Sequence, residues 1–390
     1  MNSISPVAYL EPVIARMSAI TATPLGKSLN VDLIEDVEAF AESRDKWNAI
    51  VSASGNSSLF LTHHWMESWW RSFGQNADVF CVLFSDEQGP LGLAAFCANQ
   101  VRIGLLAVPA LRLAGNDLSP RSDILLLRRE REVWTHLIAL LHERKWYVFD
   151  VGRLDAASPT IDLLQTTDRL HSVTLREEFA LPMVDLSQPW AEWLATRSRT
   201  FRKSIRKAEE KTATMRALSF PTDYHGLGSL FSALKIVASD SWSHRQSTAI
   251  SSDQPTWTFF QRLCEAHAAS GELIATVLVD GDRPVAFAFG IRYGAVVYGL
   301  KTAYVESSAT TSLGTSVMAA FIQACIADPH AQFLDMDGVD SGGAYKLRWA
   351  DRIDRLQVYR AFRRSPLSKL IARAYRWHKR RNPLPPLPIE

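Results

Sequence analysis

Apolar positions along this chain switch between two periods, and the switches mark its elements. Residues 30–52, "NVDLIEDVEAFAESRDKWNAIVS", read as a short strand followed by an amphipathic helix. In "LFLTHHWMESWWRSFG" the residues Trp65, Trp69 and Phe73 recur at i, i+4 and i+8, the apolar stripe of another helix. Beyond it come short apolar runs, "DVFCVLF", "PLGLAAFCA" and "VRIGLLAV", divided by turn residues such as "SDEQG". Runs of that length and spacing predict an antiparallel meander. "EVWTHLIALLHERK" then predicts a helix and "WYVFDVG" a strand, and the polar "LDAASPT" closes the region.

The second half repeats this order. "ELIATVLVD", "PVAFAFGIRY" and "GAVVYGLKTAY" predict another meander, "GTSVMAAFIQACIAD" a helix and "QFLDMDG" a strand. At an offset of 194 residues Asp86 meets Asp280, Leu83 meets Val277, and Leu91 and Leu93 meet Val285 and Phe287; "VFDVG" and "FLDMDG" match at an offset of 185. One unit used twice is the economical reading. The expected fold is α/β (α+β): two units, each a mostly antiparallel mixed sheet flanked by helices. The expected boundaries are an N-terminal extension at 1–29, units at 30–180 and 181–360, and a basic tail at 361–390.

The two halves differ where chemistry is expected. In the second, the third meander strand runs through "ESSATTSLGTS" into a helix, so a small-residue loop leads to the unpaired N–H groups of a helix N-terminus, which attract phosphate. The matching stretch of the first half, "NDLSPRSDILLLRRERE", has no glycine. The strand "FLDMDG" leads into "VDSGGAYKLRWA", which puts Asp335 and Asp337 two residues apart on one strand face, with Tyr345 and Lys346 after a Ser341-Gly342-Gly343 hinge. The first half has no such Tyr-Lys step. These carboxylates are suited to take a proton from an amine or hydroxyl, Lys346 to stabilise developing negative charge, and Tyr345 to donate a proton or stack. A strand end in a solvated turn accounts for the same carboxylates without chemistry. The second half is expected to bind the cofactor, and the first to be structural or to face the substrate.

The meander, the loop "TTSLGTS", the helix and "FLDMDGVDSGGAYKLRW" together resemble the GNAT superfamily of acyl-CoA transferases. The early "LFLTHHWMESWW" and the basic "RSRTFRKSIRKAEEK" are similar to its acetyltransferases of cellulose or exopolysaccharide biosynthesis (the CelD/BcsL type), a branch related to the Fem peptidyltransferases. The likeness spans residues 30–360. Where that branch commonly has Pro-Gly in its loop, this chain has Leu313-Gly314. The resemblance implies tandem GNAT-like units and an acyl-CoA co-substrate, acetyl-CoA in the simplest case. Its pantetheine arm would lie where the strand Ala295–Tyr304 splays from Gln332–Met336. Lys301, Ser312, Leu313, Gly314, Thr315 and Ser316 would face the cofactor, the loop giving N–H donors to the pyrophosphate. Without the cofactor, Ser312 or Thr315 would serve as a plain N-cap.

Arg197–Lys207 holds six cations; as a helix it turns Phe201, Ile205 and Ala208 inward and Arg199, Arg202 and Arg206 into a stripe. That stripe suits an anionic substrate, the cofactor's adenosine phosphate or RNA, and equally a solvated face. In "ASDSWSHRQSTAI" Trp242 is suited to stack on a sugar and His244 to act as a general base. His63-His64 lack an Asp, Glu or Cys partner at metal-binding spacing, and no metal is expected.

Composition narrows this picture. The chain has 390 residues, 47% hydrophobic and 22% charged, the profile of an ordinary globular protein. Cys81, Cys97, Cys264 and Cys325 are scattered, without zinc or disulfide spacing. There is no basic segment followed by a sustained apolar run and no stretch long enough to span a bilayer, so a cytoplasmic protein is expected. The net charge of +2 hides an asymmetry: residues 360–390 carry nine Lys/Arg and one acid, net +8, which leaves −6 for the rest. The tail predicts a helix with Leu367, Leu370, Ile371, Ala374 and Trp377 on one side and Arg/Lys on the other. It suits docking on the domain, or peripheral contact with the inner face of an anionic membrane.

Taken together these readings point to an acyl-CoA-dependent N- or O-acyltransferase acting on an amino sugar, polysaccharide precursor or small amine. A DNA partner is not expected. The alternatives are a Fem-like transferase using aminoacyl-tRNA, the only reading that brings in RNA, and a non-catalytic accessory protein of polysaccharide assembly.

Overall fold

The apolar runs of both halves become strands of one continuous sheet. The computed structural model describes residues 28–55, 58–74, 77–103, 106–116, 118–224, 226–241, 250–306, 312–339 and 343–381. In chain order the strands are β1 (Asn30–Ile34), β2 (Val79–Asp86), β3 (Gly89–Ile103), β4 (Leu106–Leu113), β5 (Leu125–Leu126), β6 (Val148–Asp155), β7 (Leu170–Asp185), β8 (Arg216–Phe220), β9 (Leu273–Asp280), β10 (Arg283–Tyr293), β11 (Val296–Tyr304), β12 (Phe333–Asp335) and β13 (Arg352–Arg363). The helices are α1 (Val37–Glu42), α2 (Arg44–Ala53), α3 (His63–Phe73), α4 (Glu130–Glu143), α5 (Pro159–Thr166), α6 (Trp190–Ala195), α7 (Arg199–Lys211), α8 (Leu227–Ser239), α9 (Gln254–Ala269), α10 (Leu313–Ala327) and α11 (Pro366–Arg381).

The sheet runs β1-β2-β3-β4-β6-β13-β7-β12-β11-β10-β9-β8, with β5 paired to β3 outside that path. The repeat is visible in it: β2 and β9 have equal lengths and start 194 residues apart, and β6 and β12 start 185 apart. In each half the third meander strand pairs in parallel with the strand after the helix, β4 with β6 and β11 with β12. The helical crossovers α4 and α10 make that parallel pairing possible. All other pairings are antiparallel.

The centre of the sheet is an exchange between the halves. β7 follows β6 in sequence but pairs with β12, where Leu334 faces Val184. β13 follows β12 but pairs with β6, where Tyr359 faces Gly152. β7 and β13 then pair with each other from Arg352/Met183 to Arg363/Leu170. Each half thus supplies a strand that completes the other, and β7 runs across position 180.

Helix packing joins the halves as well. Trp65 of α3 meets Phe60 and Phe259 of α9 edge-on, with ring centres 4.7 and 5.1 Å apart. His63 is a core residue: its ring stacks on Phe40 at 4.4 Å and its Nε2 lies 2.8 Å from the Phe40 carbonyl. The single helix expected before residue 52 is broken at Ser43 into α1 and α2. The tail helix α11 docks on the domain, one of its two expected settings, but not through its apolar stripe. It docks through Ser368, Ala372 and Tyr375, while Leu367, Leu370 and Trp377 stay 48%, 65% and 57% exposed. The reason is the sheet face beneath it, where Val101, Val108, Ala110, Val148 and Phe362 accept the small face of Ala372 and the ring of Tyr375.

At the tip of the β2–β3 hairpin the Asp86 carboxylate meets Arg128 at 2.8 Å and Arg129 at 3.1 Å, and accepts the Gln88 N–H. The Arg128 hydrogen bond, against the opposing effect of burial, brings its pKa from 3.8 down to about 2. A depressed carboxylate contributes stability above its unfolded value, and that contribution is lost as pH falls through the folded value. Thermal unfolding followed from pH 4 down to about 2 should therefore fall less steeply in Asp86→Asn than in the wild type.

Candidate functional site

The parallel pairing of β11 with β12 is short: Val296/Phe333, Val297/Leu334 and Tyr298/Asp335. Past Tyr298, β11 continues to Tyr304 paired with β10. Its register slips from Phe289/Lys301 to Gly290/Gly299, so Leu300 is an extra residue in a bulge, which sharpens the local twist. On the other side β12 stops at Asp335, and Asp337 adopts a left-handed backbone with φ 69°. The two chains part, and a cleft with about 320 Å³ of empty space opens between them. It is lined by Gly299, Leu300, Lys301, Phe260 and Asp337, with Leu118 and Pro120 from the first half.

Asp335 and Asp337 therefore do not share a strand face as their spacing predicts; the left-handed turn separates them. Asp335 is 2% exposed, and its Oδ2 lies 2.6 Å from Arg121 Nη2 while its Oδ1 accepts the Asp337 N–H at 2.8 Å. Burial pushes its pKa up, and Arg121 opposes that shift. Asp337 is half-buried, accepts the Gly338 N–H at 2.6 Å and lines the cleft. Aspartate tolerates this backbone region better than most residues.

The Arg121 side chain comes from the first half. There the opening equivalent to the cleft, between β4 and β6, is occupied by the loop that follows β4. Trp65 Nε1 donates to Ser119 Oγ at 2.9 Å, the Ser122 N–H donates to the Arg153 carbonyl at 3.0 Å, and Asp123 accepts from Ser158 and Thr160. Gly152, at φ +90°, makes room: a Cβ there would run into Ser122 Oγ. Filling its own opening, this loop carries Arg121 across to Asp335 and under the Tyr298 ring, 5.7 Å from its centre. Sequence reasoning missed Arg121; the missing glycine of "NDLSPRSDILLLRRERE" was its trace.

Around Asp337 the structure gathers several expected residues. Lys301 lies 5.7 Å from the Phe260 ring centre, and its pKa is lowered, first by burial and also by Lys346, against the pull of Asp337. Tyr345 and Lys346 sit on a single-turn helix, Ala344–Arg348. The Tyr345 residue is half-exposed, yet its phenol is pushed up in pKa, first by burial and then by Tyr304 and Asp337. The Lys346 charge acts on both Asp335 and Lys301. Asp335, Asp337, Lys301, Tyr345 and Lys346 thus form one cluster.

Helix α10 begins at Leu313, after Ser312 in a left-handed conformation with φ 64°. At the start of an α-helix the first N–H groups lack the partner four residues back. The Ser312 side chain makes no cap bond, so the plain N-cap role does not hold for it; its carbonyl accepts the Thr315 and Ser316 N–H groups. Leu313 is buried, and Ser316 faces inward to accept from Thr212, the residue that caps the end of α7, at 3.2 Å, so these two side chains serve packing. Gly314 lies under Tyr304, where a Cβ would come within 3.0 Å of Cε1 of the ring. This contact brings the start of α10 against the end of β11.

Helix α7 buries Phe201, Ile205 and Ala208 as the periodicity predicts. The Arg202 side chain donates to the Ala195 and Arg197 carbonyls, Arg206 pairs with Glu210 at 3.6 Å, and Arg199 is exposed. None of the three lines the cleft. Trp242 and His244 lie outside the described residues.

Residues 199–347 match the family model of the Acetyltransferase (GNAT) domain. This stretch runs from the start of α7 to Leu347, so the whole cleft wall formed by the second half falls within the matched stretch, and the chain is a transferase. Two solved structures are similar at a TM-score of 0.52. One is FemX, 10% identical, with 84% of this chain and 98% of that one covered. The other is the C-terminal domain of a protein assigned as a lysylphosphatidylglycerol synthetase in Agrobacterium fabrum, 11% identical, covering 87% and 97%. A tandem GNAT protein from the clavulanic acid biosynthesis pathway is 11% identical, covering 85% and 98% at a TM-score of 0.49. Identities this low speak to the fold alone. No curated protein matches the sequence.

Proposed function

We propose that this transferase moves an acyl group, acetyl in the simplest case, from coenzyme A to an amine or hydroxyl in the cleft between β11 and β12. The observation that carries the reading is the early end of the β11–β12 pairing at Tyr298/Asp335. It leaves β11 edge groups, Lys301 and Asp337 facing one cleft, with the N-terminus of α10 held beside it through Gly314 and Tyr304. That arrangement fits an extended arm ending in phosphates: edge N–H and C=O groups for the amide-bearing arm, and helix N–H groups for the anion.

When bound, the cofactor supplies a thioester whose carbonyl carbon is attacked and whose thiolate leaves. Asp337 takes the proton of the acceptor, being the carboxylate that lines the cleft and is not paired with Arg121. The Lys301 ammonium stabilises negative charge on the carbonyl oxygen. Tyr345 keeps its proton at neutral pH, because burial and the neighbouring Tyr304 and Asp337 raise its pKa, and donates it to the departing sulfur. Asp335 and Arg121 position this group: the pair fixes the turn that aims Asp337. The acceptor is an amine or hydroxyl of an amino sugar or polysaccharide precursor, in keeping with the sequence likeness to that branch.

A donor carried on tRNA would lean on the α7 cations, and two of its three stripe arginines are engaged within the protein. Thiol release from acetyl-CoA in the presence of amino-sugar acceptors tests the proposal. Acceptor-dependent release that survives ribonuclease supports it, and transfer that needs intact RNA sinks it.

A further inference from the structure

Helix α11 presents three distinct faces. Taking about 100° per residue, Ser368, Ala372, Tyr375 and Lys379 cluster on one side, and these are the positions that dock: Tyr375 lies 5.7 Å from Phe362, and Lys379 Nζ donates to the Leu175 and Arg176 carbonyls. About 150° around from that face, Leu367, Leu370, Ala374 and Trp377 form an exposed stripe at the spacing 3, 4, 3. Between the two lies a row of exposed cations, Lys369, Arg373, Arg376 and Arg380. The helix carries no acid. Just before the helix Arg364 is exposed as well.

We infer that this outward face is a docking surface for an anionic lipid bilayer, with the Leu367–Trp377 stripe entering the headgroup boundary and the adjoining cations binding lipid phosphates. Two features favour this occupant. An amphipathic helix lying in an interface needs apolar and basic rows side by side along its length, and a tryptophan at the apolar edge suits the headgroup level. Charge is complementary too, since the helix carries Lys369, Arg373, Arg376, Lys379, Arg380 and Arg381 with no acid while residues 1–359 sum to −6, so attraction to a negative surface orients the molecule with this helix down. A nucleic-acid backbone would engage the cations and leave the leucines in water.

Co-sedimentation of the full chain with vesicles tests this, using phosphatidylcholine alone against phosphatidylcholine with phosphatidylglycerol at about two to one. The wild type should pellet with the mixed vesicles and not with the neutral ones, and added salt should release it. Leu370→Asp with Trp377→Asp should lower partitioning about tenfold or more while leaving the thermal midpoint unchanged, because both side chains are mostly exposed. Arg373→Gln with Arg376→Gln should weaken binding chiefly at low salt. Equal pelleting with neutral vesicles, or apolar-stripe variants that bind like the wild type, would overturn the proposal. So would a dimer in sedimentation velocity that the stripe variants dissolve, which would assign the face to a second copy, or RNA retention abolished by the same substitutions.

Discussion

Arg121→Met should destabilise the protein by about 3–5 kcal/mol, the range for removing one partner of a buried ion pair. The Asp335 carboxylate it leaves is 2% exposed and keeps the Asp337 N–H at 2.8 Å and the more distant Lys346 charge. Much of the cost is the uncompensated charge, so the double variant Arg121→Met, Asp335→Asn should regain most of the loss. Chemical denaturation of the two single variants and the double closes this cycle. If the double variant is as unstable as the sum of the singles, the pair is not the tie between the halves described here. Arg121→Met should also slow turnover, because the turn that aims Asp337 hangs on Asp335. The double variant should recover stability more fully than rate.

Asp337→Asn should lower kcat by about a hundredfold or more, within the range for loss of a general base. The substitution is mild for the fold. Asparagine tolerates a left-handed backbone as aspartate does, and its side-chain oxygen still accepts the Gly338 N–H that Asp337 accepts at 2.6 Å. Thermal midpoint and acetyl-CoA affinity should both stay near wild type, so a rate effect isolates proton transfer. Undiminished turnover would move the base elsewhere.

The meander strands, α3, α4, α7 and α10 were legible in the sequence because their apolar residues keep one period without interruption. The repeat was legible for the same reason, since the apolar pattern of Val79–Asp86 recurs at Leu273–Asp280. β7 and β13 were not read, although Val173, Leu175, Phe179, Leu181 and Met183 do alternate along β7. Charged pairs such as Glu177-Glu178 and Arg352 with Asp354 break the signal, and these strands tolerate them because they lie at the centre of the sheet with partly open faces. The exchange of β7 and β13 between halves was beyond sequence reading altogether, since it depends on contacts far apart in the chain. The same holds at the candidate site: Asp335, Asp337, Tyr345 and Lys346 come from one continuous stretch and can be grouped from sequence, whereas Arg121 comes from the other half, through a loop that plugs its own opening. The apolar stripe of α11 was legible, but helical periodicity cannot say which face meets the sheet; Leu367, Leu370, Ala374 and Trp377 face outward and Ile371 packs inward.

Calorimetric titration of the full chain with acetyl-CoA bears on all of this. A cleft at the β11–β12 parting that holds the cofactor gives saturable binding with a Kd in the micromolar range typical of such substrates, kept in Asp337→Asn. Binding should be lost in Gly314→Asp, which puts a carboxylate at the α10 N-terminus and a Cβ within 3.0 Å of the Tyr304 ring. A folded wild type that binds no acetyl-CoA, or a Gly314→Asp variant that binds it as tightly as the wild type, contradicts the assignment of this cleft.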